Sequence, residues 1–211
     1  MRFFLAALAC ALLFAAGCVQ NGAAQGQTYN PNAAFVLPVS DISYHATYSV
    51  EEGGPMAKEV WRAPEKMRYD LSAQGMKALS FFFVGSRAYS CSYISSTPAC
   101  YDITPMLSQS DATRLVPTEA DATGATQVES IKIGNTGGKC YQMEIPALGS
   151  RKLCFAVGGV MAYDSYNVSK GLTHTEYLTG LEIYEKGREI DASVFSLPAQ
   201  PVAAPGAAAS P

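Results

Sequence analysis

Between residues 42 and 51 apolar and polar side chains alternate. Ile42, Tyr44, Ala46, Tyr48 and Val50 fall on one side, and Ser43, His45, Thr47, Ser49 and Glu51 on the other. A period of two predicts a strand with one dry face and one wet face. Glu52-Gly53-Gly54-Pro55 then interrupts it with turn residues. Residues 57–63 read as a second strand. In a third, Met67, Tyr69 and Leu71 alternate with Arg68, Asp70 and Ser72. Residues 77–84 place Leu79, Phe81 and Phe83 on one face and Ala78, Phe82 and Val84 on the other, so both faces of this strand need cover. Further strands fit 87–94, 99–103, 127–133, 139–145, 151–157, 160–168 and 172–185. Short strands at regular spacing point to an all-β meander, barrel or sandwich. One helix is predicted, over 105–116, with Thr104 as cap, Pro105 at its first position and Pro117 as its stop.

The ends of the chain do not share this pattern. Residues 1–17 combine Arg2, an apolar run over 3–14 and small residues before Cys18. That is a secretory signal peptide, too short to span a membrane. Ala15-Ala16-Gly17-Cys18 resembles the lipobox of prokaryotic lipoproteins, with Ala15 where Leu is usual. It implies lipidation of Cys18 and anchoring to a membrane through that lipid. The competing reading is ordinary cleavage near Gly22-Ala23-Ala24. Residues 18–38 are small and polar and read as a flexible tether. Residues 198–211, nearly all Ala and Pro, read as a disordered tail. The antiparallel β domain is then 39–197, an ordinary size for one domain.

Composition sharpens this picture only in part. Six cysteines are present; Cys10 leaves with the signal and Cys18 belongs to the lipobox. The remaining four, Cys91, Cys100, Cys140 and Cys154, are an even set in an exported chain and predict disulfides. Cys91 and Cys100 are symmetric about Ser95-Ser96, and Cys140 and Cys154 about Ala147, so each pair should face across a hairpin. Without paired C-x-x-C spacing they make a poor zinc motif, and no metal or cofactor is expected. The net charge is −3, which argues against nucleic acid as a partner.

Little in the chain suggests catalysis. His45 and His174 both read as surface strand residues, and neither a G-x-S-x-G nor an H-E-x-x-H motif is present. A curled sheet rich in aromatics could instead hold an apolar ligand. Tyr48, Met67, Tyr69, Leu79, Phe81 and Phe83 are the candidate lining. The same residues could equally fill a packed core.

The run Trp61-Arg62-Ala63-Pro64-Glu65-Lys66-Met67-Arg68-Tyr69-Asp70 resembles a segment of the periplasmic lipoprotein-sorting carriers, the LolA-like superfamily. The ending Ile190-Asp191-Ala192-Ser193-Val194-Phe195-Ser196-Leu197-Pro198 is similar to that superfamily's closing Asp-x-x-x-Phe-x-x-Pro. The resemblance covers about residues 42–198 and implies a half-open antiparallel β-barrel with a small helical lid and a cavity for acyl chains. It implies a lipid or a lipidated protein as ligand, with Arg62 as a polar contact. The lipid anchor and the two disulfides depart from the soluble carriers of that family. Without a ligand, the domain would be an envelope or cell-surface interaction module, its barrel only a scaffold.

Overall fold

The computed structural model describes residues 35–52, 54–107, 117–122, 124–133, 136–145, 149–169, 171–185 and 187–204. Strands β1 (Ser43–Glu51), β2 (Pro55–Ala63), β3 (Lys66–Ala73), β4 (Met76–Val84), β5 (Arg87–Ser92) and β6 (Ala99–Asp102) make a first run of hairpins. Strands β7 (Thr126–Ile133), β8 (Thr136–Ile145), β9 (Gly149–Ala156), β10 (Met161–Ser169) and β11 (Leu172–Tyr184) make a second, followed by the short β12 (Val202–Ala203). Among the described residues these twelve strands form one sheet, in the order β12-β6-β5-β4-β3-β2-β1-β11-β10-β9-β8-β7. All neighbours are antiparallel except β12 and β6. The two end strands do not pair with each other, so the sheet is open.

The sheet curls because one face carries nearly all the large apolar side chains. Tyr48, Val60, Met67, Tyr69 and Phe83 from the first run share a buried cluster with Leu153, Phe155, Met161 and Leu178 from the second. The Tyr48 hydroxyl donates to the carbonyl of Met161, 3.0 Å away. The register of β1 with β11 joins the two halves and contains a bulge, since Thr47 pairs with Gly180 and Tyr48 with Leu178. Thr179 is the extra residue, and its hydroxyl donates to the Thr47 carbonyl. A Cβ on Gly180 would stand 2.7 Å from Thr47 Oγ1, so any larger residue there requires the Thr47 side chain to move.

The opposite face has a smaller core. Phe82 packs with the Cys91–Cys100 disulfide, Tyr89, Tyr93, Leu197 and Ala199. The chain after β11 therefore crosses the back of the sheet as a strap. Asp191 caps a 3-10 turn, Ala192–Phe195, by accepting from the Ser193 amide. Arg68 donates to the Val194 carbonyl while its other nitrogens fork onto Asp70. Replacing Phe195, which is buried in this strap, with alanine should lower stability by about 3 kcal/mol in a urea melt.

Three sequence expectations change. Residues 198–204 are not a structureless tail: Val202 and Ala203 pair with Tyr101 and Asp102 of β6. Pro and Ala disqualify a strand that must bury side chains, but an edge strand of two residues needs only its backbone. Residues 205–211 lie outside the described residues. The tether expected over 18–38 ends earlier, because Phe35 and Leu37 are buried and Leu37 donates to the Gly85 carbonyl. The signal peptide, Cys18 and the rest of the tether lie outside the described residues.

The helical lid is the third. At its expected start there is a single 3-10 turn, Thr104–Met106, with Leu107 already extended. Thr104 cannot cap a helix, because its hydroxyl is engaged with the backbone of Ala88 in β5. Residues 108–116 lie outside the described residues.

Candidate functional site

Register builds a polar cluster on the inner face. Asp164 of β10 lies opposite Glu176 of β11, and Tyr166 lies opposite both His174 of β11 and Arg151 of β9. Two carboxylates directly across a ladder repel, so each needs its own cation. Arg151 forks onto Asp164 with Nε and Nη2 at 2.8 and 2.7 Å from its two oxygens. Lys58 of β2 reaches Glu176 at 2.8 and 3.1 Å. Its ammonium also lies 5.5 Å from the Tyr48 ring and 5.3 Å from the Tyr69 ring. His174 completes the cluster. Its Nδ1 is 2.7 Å from Glu52, at the end of β1, and its Nε2 is 3.6 Å from Glu176. The ring stacks on Tyr166 with centroids 4.7 Å apart.

Burial and partners compete over these charges. Burial disfavours the ionised Glu176 carboxylate, but Lys58 and His174 outweigh it and hold its pKa below the ordinary 4.5. Burial likewise opposes a charged His174, yet Glu176, Glu52 and Asp164 together raise its pKa above 6.5. Tyr69 is pushed well up by burial and by the Glu176 charge.

The cluster lines a cleft of about 170 Å³ with Val50, Met56, Tyr69, Leu71, Pro117 and Met161. Deeper along the same face, Tyr44, Tyr48, Val60, Met67, Tyr69 and Met161 surround a pocket of about 30 Å³. Three of the six candidate lining residues, Tyr48, Met67 and Tyr69, thus meet around one space. Phe83 is fully buried and Phe81 packs against the same core, while Leu79 sits opposite Leu71 and Ser92.

Arg62 lines neither of these two spaces. It is buried, and its guanidinium donates to the backbone carbonyls of Pro38 and Lys66. It fastens the incoming chain to the end of β2. Burial lowers its pKa, with Tyr44 acting against that.

His45 lies on the outer face, bonded to Glu59 and stacked on Trp61. His174 was expected on the surface too, and it is instead buried and inward-facing. The bulge at Thr179 explains the difference. Strict alternation back from Leu181 would turn Tyr177 inward and His174 outward; the extra residue reverses the parity, so Leu178, Glu176 and His174 face in. Glu52, Asp164 and Glu176 carried no motif, and only this register brings them together. The four domain cysteines are bonded Cys91–Cys100 and Cys140–Cys154, as befits an oxidising, extracytoplasmic compartment.

No family model matches the sequence, and no curated protein matches it. Solved structures do. MucB is similar over 76% of this chain, at 14% identity and a TM-score of 0.51. The complex of Pseudomonas aeruginosa MucA and MucB matches over 77% of this chain, at 13% identity and a TM-score of 0.51. In both cases the match spans 58% of the other chain's length. The chain is also similar to a LolA superfamily protein from Nitrosomonas europaea, at 8% identity and a TM-score of 0.37, over 76% of this chain and 93% of that one. At these identities the likeness is one of fold.

Proposed function

We propose that this chain is an extracytoplasmic, membrane-anchored binding module, without catalysis, that receives one group of a partner molecule in the cleft beneath Pro117. The observation that carries this reading is the size of the two spaces that the described residues line on the inner face. The inner pocket of about 30 Å³ has room for about one water molecule. The cleft of about 170 Å³ is below the roughly 300 Å³ at which small-molecule pockets begin. An acyl chain has no room in either, whereas a side chain or head group fits the cleft. The ionisable groups around it are engaged with one another, which supports binding over catalysis. MucB forms a complex with MucA, and at the level of fold that analogy agrees with a protein partner.

One observation favours a second reading, an apolar ligand. The inner pocket and the cleft share Lys58, Tyr69, Pro117 and Met161, so the two spaces adjoin along one face bearing Tyr44, Tyr48 and Tyr69.

Native mass spectrometry of the mature protein, isolated without added lipid, separates the two. The expected spectrum shows protein alone, with no stoichiometric ligand. A retained lipid at one per chain would overturn the partner reading in favour of the apolar one. The intact mass also reports the anchor: it should include acyl groups on Cys18, and an unmodified N-terminus beyond Cys18 removes the anchor from the proposal.

A further inference from the structure

Two spaces meet at the end of the sheet where Glu52 stands. The cleft of about 170 Å³ and a wider, shallower space of about 550 Å³ have Glu52 and Met56 in common. The wider one is a shelf between two hairpin turns. Gly54 and Pro55 line it from the turn into β2, and Ser72, Ala73, Gln74 and Gly75 line it from the β3–β4 hairpin. Register sets the two turns side by side, since Met56 pairs with Ala73 and Ala73 with Met76. The β3–β4 turn has two residues with positive φ, Gln74 at 53° and Gly75 at 76°. Such a turn matches the twist of its strands and gives this side of the shelf a fixed shape.

Charge decides what the shared edge accepts. Lys58 holds Glu176 by two hydrogen bonds and Arg151 holds Asp164 by two, so both cations are already taken. The Glu52 side chain is 34% exposed, against 5% for Glu176 and 6% for Asp164. Its Oε2 lies 2.7 Å from His174 Nδ1, and among the described residues its Oε1 takes part in no hydrogen bond. With a charged imidazole, three cations face three carboxylates; with a neutral one, two face three. In neither state is positive charge left over. An entering carboxylate or phosphate would find no cation to pair with and would meet Glu52. A basic group would find a solvated carboxylate with an oxygen to spare.

The walls beside Glu52 are apolar. Met56 belongs to both spaces, and Val50 and Leu71 continue the cleft behind it. An occupant that suits both kinds of wall has an alkyl stem and a cationic tip, the build of lysine and arginine.

We propose that the cleft and the shelf together bind an extended segment of a partner protein, whose backbone lies on the shelf and whose lysine or arginine side chain enters the cleft. The methylenes of that side chain lie against Met56 and Leu71, and its cation donates to Oε1 of Glu52. The inference deepens the partner-binding reading of the cleft and rests on it.

The test titrates the full mature chain with three acetylated, amidated pentapeptides, read by amide NMR. Four positions are serine, and the centre is lysine, norleucine or glutamate. The lysine peptide should shift the amides of Glu52, Gly54 and Gln74 and the His174 imidazole. It should bind about fivefold more tightly than the norleucine peptide. The glutamate peptide should shift none of these signals. Glu52→Gln should remove the preference for lysine over norleucine. A Cβ at position 54 meets no atom within 4 Å, so a larger side chain fits there without disturbing the fold. Gly54→Leu should therefore weaken the lysine peptide and leave binding of n-butylammonium, which needs only the cleft, unchanged. Equal binding of the lysine and norleucine peptides, or a lysine preference that survives Glu52→Gln, overturns the basic group while leaving a protein-binding cleft. An unaltered peptide affinity in Gly54→Leu removes the shelf. Shifts from none of the peptides, in a protein whose mass spectrum retains a lipid, would remove the partner reading itself.

Discussion

Arg151→Met should destabilise the fold by about 3–5 kcal/mol, read as a lowered urea midpoint. Arg151 is 2% exposed and Asp164 is 4% exposed. The pair is joined by two parallel hydrogen bonds, and the guanidinium lies 5.4 Å from the Tyr166 ring. Removing the cation leaves a carboxylate buried directly across the ladder from a second carboxylate, Glu176. The loss therefore measures a stranded charge, and not the net worth of the pair. The companion variant Arg151→Met with Asp164→Leu shows this, because it should recover most of the loss. If the double variant is as unstable as the single one, the cost lies in packing around Tyr166 and the electrostatic account fails.

Phe83→Ala should cost a similar 3–5 kcal/mol, for a different reason. Phe83 is fully buried in the central core. Its ring lies 5.4 Å from Phe35 and 6.0 Å from Tyr69, and Met67 and Ala88 are its cross-strand neighbours. Truncation opens a cavity that these neighbours fill only in part. Phe35 comes from the segment before β1 and packs its ring, tilted, against Phe83. A second effect is therefore expected, faster proteolysis near residue 35 at denaturant concentrations where the sheet is still folded. Equal protease resistance in the two proteins would show that residues 35–38 are held by other contacts, such as the Leu37 bond to Gly85.

Much of the first half of the sheet was legible from alternation alone. Strand β1 keeps period two through its core and its dry face is the buried one, while β4, apolar on both sides, is buried on both. The disulfides were legible because each pair straddles one turn, and cross-strand partners are fixed by turn position. The second half was less so. A single bulged residue, Thr179, reverses the facing of half of β11, and it leaves no mark in a pattern of Thr and Gly that already interrupts the alternation. That reversal hid His174 and Glu176, and with them the cleft. The surroundings of Arg62 were hidden for a different reason. Its place in a short motif suggested a ligand contact, whereas its partners are backbone carbonyls that sequence cannot identify. The strap failed on composition: Ala and Pro near the end cannot build a core, yet they can lie on one that Phe82 and a disulfide have already made.

The fastening of Pro38 to Arg62 also sets a direction. The chain arrives beside Arg62 and Lys66 and runs into β1 at Ser43, while Glu52, which lines the cleft, lies just past the other end of that strand. Nine extended residues at about 3.4 Å each give roughly 30 Å between the two ends. A group bound in the cleft would therefore lie about one strand length from the Pro38–Arg62 fastening.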